Sequence, residues 1–175
     1  MAAQESTTSP AARGIETPGV STAVHAEGLI AGVVGAGVIA LWFLAIDTIK
    51  GHPFYTPMVL GSTLFHGGEG LANTATPVDF EVVLTFTWVH VLVFLVIGVA
   101  AARLLALAER NPNFGFGIVL LFVFFEFGFL LACTLFAEPV LQALAWPEVL
   151  IGNLLAAAAM AGVFWRRHPS LVIRP

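Results

Sequence analysis

The sequence predicts an all-α integral membrane protein. The expected form is a four-helix bundle with both termini cytoplasmic and a short interfacial or re-entrant segment after helix one. Three observations carry that prediction. The first is scarcity of charge: 10% of the 175 residues are charged and 58% are hydrophobic, with a mean hydropathy of +0.93. A soluble domain carries roughly 25% charged residues. The second is a set of four apolar runs of membrane-spanning length, and the third is a one-sided distribution of bases. Eleven acids and seven bases cannot coat a soluble globule of this size. The composition therefore excludes a soluble enzyme, a nucleic-acid module and a disordered tail protein.

Residues 1–27 are rich in Ser, Thr, Ala, Pro and Gly and read as a flexible polar tail. With Arg13 as their one base, they are not expected to be a cleaved signal peptide. The transmembrane domain is expected over 28–168, with helices at about 28–50, 80–107, 114–137 and 147–166, and a short tail over 169–175. A bilayer core about 30 Å thick needs about 20 helical residues at 1.5 Å each. Leu29–Ile46 is uncharged and closes with Asp47 and Lys50. Val82–Ala102 is interrupted only by Thr85, Thr87 and His90, and Phe114–Ala137 contains Glu126. Val149–Trp165 contains Asn153 and is followed by Arg166 and Arg167. Backbone groups in lipid must pair internally, and strand-type alternation is absent, so each run is read as a helix.

The connection 51–79 holds an apolar stretch, Phe54 to Phe65, that is too short to span. Pro57 can start a helix there and Gly67-Gly68 can stop it. Tyr55 and Trp146 are expected as anchors at the outer boundary and Trp165 at the inner one. Trp88 lies deeper and is read as a packing residue.

Four spans put Arg13, Arg103, Arg110, Arg166, Arg167 and Arg174 on one side and leave only Lys50 on the other. Bases favour the cytoplasmic side, so both termini are assigned to the cytoplasm. The opposite side collects Asp47, Glu69, Asp79, Glu81, Glu138 and Glu148, which read as a solvated acidic rim.

Small residues recur at four-residue intervals in helix one, at Gly28, Gly32, Ala36 and Ala40. Helix four has a similar strip in Gly152, Ala156 and Ala161. Such ladders let helices approach closely, either inside the bundle or against another subunit. The phenylalanines between positions 116 and 129 point in nearly every direction, as on a helix that faces lipid or is buried by partners.

Two ionisable side chains fall at membrane depth, where they are costly and are candidates for function. They are His90 and Glu126. Folding the second and third spans into a hairpin near residue 108 brings both to the same depth. One reading is a polar clamp between helices, with Thr87 sharing it; the other is a proton-relay pair. The single cysteine, Cys133, excludes an intrachain disulfide and a cysteine-pair metal site. No catalytic or metal-binding residue is expected, and no cofactor. The alternative is a haem or a chlorophyll-type pigment held through His90.

The run His52-Pro53-Phe54-Tyr55-Thr56-Pro57, continued by Met58-Val59-Leu60-Gly61-Ser62 after a Gly/Ala-rich first helix, resembles small uncharacterised four-span membrane proteins of bacteria. The resemblance covers helix one through the interfacial segment and brings no binding residues with it. It implies the bacterial cytoplasmic (inner) membrane. The functional expectation is a non-catalytic accessory subunit of a larger membrane complex, respiratory or photosynthetic. Its expected partners are membrane lipid and other membrane subunits or further copies of itself, and not nucleic acid. The alternatives are a small ion or solute carrier using His90 and Glu126, and a haem- or pigment-binding protein.

Overall fold

The computed structural model describes residues 18–67, 78–110 and 146–167, together with the single positions Val123, Phe127 and Leu131. All elements among them are helical: α1 (Pro18–Ile49), α2 (Tyr55–His66), α3 (Phe80–Arg110) and α4 (Trp146–Arg167). Three stretches are long and apolar enough to cross a membrane, Thr22–Ile49, Phe80–Glu109 and Trp146–Arg167. The expected span 114–137 falls outside the described residues, apart from those three positions.

α1 begins at Pro18, ten residues before the expected boundary at 28, so residues 18–27 are helix rather than tail. Hydropathy marks where a membrane ends and not where a helix does. Pro suits a first turn, where its missing N–H has no helical partner, and the Ala, Val and Glu that follow continue the helix. At 32 residues, α1 is roughly 48 Å long, well beyond a bilayer core.

α1 is the central element, and both α3 and α4 pack along it. The α1–α3 crossing is a contact of backbones. A Cβ on Gly28 would lie 2.5 Å from Val99 Cα, and one on Gly32 would lie 2.5 Å from the Phe94 carbonyl oxygen. One on Gly98 would collide with the Gly28 carbonyl oxygen. Only glycine allows this approach, and dispersion between the backbones is what it gains. Ala36 continues the seam and is buried.

α4 uses a different fit. Gly152 receives the Trp42 ring, whose Cδ1 would be 2.8 Å from an added Cβ. The Trp42 indole N–H donates to the Glu148 carbonyl at 2.9 Å, and Lys50 Nζ reaches the Glu148 carboxylate at 2.6 Å. Ile39, Phe43, Val149 and Ala156 form the buried core between these helices.

These contacts fix directions. Gly28 meets Val99, while Gly35 meets both Phe94 and Met160. Lys50, at the far end of α1, meets Glu148 at the start of α4. α3 and α4 therefore both run opposite to α1 and parallel to each other. Arg110, the last residue of α3, and Trp146, the first of α4, lie at opposite ends of the bundle.

α2 closes the Asp47 end. Gly61 lies against Val82 and Phe86 of α3, and Thr56, Val59 and Gly61 are buried. Gly67, at a left-handed φ of 63°, ends the helix and returns its N–H to the Ser62 carbonyl. Glycine takes that conformation without the steric cost a Cβ imposes.

Candidate functional site

α3 and α4 stand as two walls over α1, and the space between them is a groove of about 780 Å³. Its floor includes Ile39 and Phe43, its walls include Phe94 and Ala157, and α2 reaches one end through Leu60. The lining is overwhelmingly apolar, which suits lipid tails or another helix better than water.

His90 stands on the α3 wall of this groove. Its ring lies between Phe86, stacked with centroids 5.9 Å apart, and Phe94 at 4.8 Å. The ring lies beside the Ala36 backbone of α1. Its Nε2 is buried and has no hydrogen-bond partner among the described residues. A small residue at position 36 lets the imidazole reach the α1 backbone. Chemically, Nε2 can accept a hydrogen bond from a hydroxyl or a protonated carboxyl, or act as a single ligand to a metal centre.

The other polar side chains around it are satisfied locally. The Thr87 hydroxyl donates to the Val83 carbonyl of its own helix at 2.7 Å. Thr63 and Thr48 do the same to Val59 and Leu44. A threonine in a helix commonly finds its acceptor one turn back, and each then keeps only acceptor capacity for a neighbour. Glu126, the expected companion of His90, lies outside the described residues.

The expected packing residues are distributed as follows. Gly28, Gly32 and Ala36 are buried, the two glycines against α3. Gly152 and Ala156 are buried against α1. Ala40 and Ala161 are exposed and line the groove. Of the expected anchors, Tyr55 opens α2 with its ring 6.4 Å from His52. Trp146 and Trp165 are exposed at opposite ends of α4.

Two side chains depart from the sequence expectation. Trp88 is not packed inside the chain; it is 76% exposed. It shares an outward row with Leu92 and Val96 at helical spacing of four, and all three are exposed. Asp47 is not part of a solvated rim; it is 2% exposed and binds the start of α2. Hydropathy alone shows how deep a tryptophan lies and not which way it turns. The signal available for Asp47 was its place one turn before a Gly-Pro connection, and many helix ends share that. At the opposite end Arg103 donates to His25 Nε2 at 2.6 Å. Among the described residues no three His, Cys, Asp or Glu side chains converge as a metal cage.

Compared with known proteins, the chain matches no family model, no curated protein and no solved structure.

Proposed function

We propose that this protein is a non-catalytic, four-span accessory subunit of a larger complex in the bacterial cytoplasmic membrane, with both termini cytoplasmic. The fourth crossing is supported by helix direction. α3 ends at the His25 end of the bundle and α4 begins at the Asp47 end, so the 35 residues from 111 to 145 have to travel between them. The orientation is supported by the six-to-one distribution of bases.

The observation that carries lateral assembly is Trp88. An indole favours the membrane boundary, where its N–H meets water. Trp88 instead lies two residues from mid-depth His90, on the outward row of α3. No described residue accepts its N–H, and lipid tails cannot. A neighbouring subunit can supply both an acceptor and a flat apolar surface, and tryptophan is a preferred anchor in such contacts. The small residues of α1 and α4 are largely spent inside the chain, so the assembly face is the large-residue row Trp88, Leu92 and Val96. Gentle detergent extraction, native gels and mass spectrometry test this reading. A defined larger species that dissociates in Trp88→Ala is expected; a stable monomer with nothing bound would overturn it.

The second reading, a small carrier using His90 and Glu126, draws on the buried, unpartnered His90 Nε2. It requires pH-dependent flux into liposomes that collapses in Glu126→Gln. Unchanged flux in that variant removes it.

A further inference from the structure

We propose that Arg103, positioned by His25, binds the phosphate of an anionic phospholipid in the cytoplasmic leaflet. The choice of leaflet rests on the orientation read above; the contact itself does not, and neither depends on lateral assembly.

The pair joins α1 to α3 just beyond the glycine crossing, where Gly28 meets Val99. At 1.5 Å per residue, Arg103 is about 36 Å along α3 from Asp79, and His25 is about 33 Å along α1 from Asp47. Both aspartates belong to the other end of the bundle. A hydrocarbon core is about 30 Å thick, so Arg103 and His25 sit just past its edge, at the depth of phospholipid phosphates.

Charge at this end is uncompensated. A guanidinium has donors and no acceptor, so across the 2.6 Å contact Arg103 Nη2–H donates and His25 Nε2 accepts. That bond fixes where the arginine points and cancels none of its charge. Glu27 on α1 and Glu109 on α3 are the carboxylates at this end among the described residues, and neither makes an ion pair with Arg103. Lys50, at the other end, is the contrast, because the Glu148 carboxylate neutralises it at 2.6 Å. Arg166 and Arg167 close α4 at the Arg103 end and add positive charge there.

A lone guanidinium at the edge of hydrocarbon is costly. Phosphate is the anion that the bilayer itself supplies at that depth, and basic sites between helices take such headgroups. Arg103 is exposed, and the donors of its fork not used on His25 match two phosphate oxygens. His25 acts as a positioning residue. It holds the arginine against α1 beforehand, so less freedom is lost when lipid binds. A lipid with net negative charge is favoured over phosphatidylethanolamine, whose own ammonium offsets its phosphate.

The test uses the isolated full-length protein in mild detergent, titrated with phosphatidylglycerol and followed by native mass spectrometry. A first, tight adduct is expected that phosphatidylethanolamine does not reproduce and that millimolar inorganic phosphate does not displace. Arg103→Gln should weaken it about tenfold, as for a lost hydrogen bond to a charged group, and Arg167→Gln should leave it unchanged. His25→Ala should weaken it in part, and His25→Gln, whose amide oxygen can accept from Arg103, should restore it. The rise in unfolding midpoint on adding phosphatidylglycerol, read within each variant, removes any change in basal stability. Equal binding in wild type and Arg103→Gln overturns the proposal, as does an equal loss in Arg167→Gln. Displacement by free phosphate would make this a soluble-anion site instead. A larger complex that holds no lipid here, yet dissociates in Arg103→Gln, would put a partner's carboxylate in place of the phosphate and equally overturn it.

Discussion

Asp47 accepts two hydrogen bonds from Thr56, from its backbone N–H at 2.7 Å and from its hydroxyl at 2.8 Å. Both residues are buried. The carboxylate at the end of α1 thus caps the first turn of α2, whose own preceding residue, Phe54, is left-handed at φ 68° and gives no side-chain cap. One side chain joins two helices and sets the angle at which α2 folds back over the bundle. The negative charge also suits the positive end of the α2 dipole.

Removing the cap should loosen α2 before the rest. Asp47→Ala is expected to cost about 1–2 kcal/mol, the range for a lost N-cap. Hydrogen exchange should rise across Tyr55–His66 while the α1–α3 seam stays protected. Asp47→Asn retains an acceptor oxygen and should recover part of the loss. Unchanged exchange in Asp47→Ala would show that packing on α3 holds α2 unaided.

The α1–α3 crossing should be intolerant of a single methyl. Gly98→Ala places its Cβ into the Gly28 carbonyl and against Gly32. A loss of about 1–3 kcal/mol is expected, as for overpacked cores. Gly37 lies on the same helix as Gly28 and Gly32 but would meet nothing within 4 Å. Gly37→Ala should be neutral or should stabilise by up to about 1 kcal/mol through helix propensity. Unfolding in mixed micelles titrated with dodecyl sulfate compares the two. Equal midpoints would contradict the close crossing.

The α1–α4 junction should depend more on the indole than on the ion pair. Lys50 is 49% exposed and Glu148 is 25% exposed, so solvent screens their attraction. Lys50→Ala should cost less than about 1 kcal/mol. Trp42→Phe loses a part-buried hydrogen bond to Glu148 and packing into Gly152, and should cost about 1–2 kcal/mol. The same micelle titration reads both, and a larger effect from Lys50→Ala would reverse this ranking.

Substitution on the outward row of α3 should separate assembly from folding. Trp88→Ala removes a side chain that is 76% exposed, so the chain's own unfolding midpoint should hardly move. If it anchors a partner, truncation should weaken association by about 2 kcal/mol, roughly thirtyfold. Native mass spectrometry of the extracted complex, set beside the midpoint, gives both values. A fall in the midpoint with association intact would make Trp88 a residue of the chain's own packing.

The sequence by itself determined that this chain is helical and membrane-bound. Few charges and long apolar runs leave the backbone no other way to pair in lipid, and that argument needs no contacts. It also placed His90 inside a long apolar run and a short helix ending at Gly67, because hydropathy and helix breakers are local. Tertiary structure alone decided the facing of side chains. Gly28 and Gly32 read as an inner seam with an outer one as the alternative, until Gly98 was brought opposite them. Trp88 read as a packing residue with no direction until α1 was found on the other side of α3. Asp47 read as a solvated acid until the chain folded Thr56 onto it. The approach of the His90 ring to the Ala36 backbone leaves no mark in the residue order. A period of 3.6 gives the faces of a helix, and only the position of its neighbours says which face is inside.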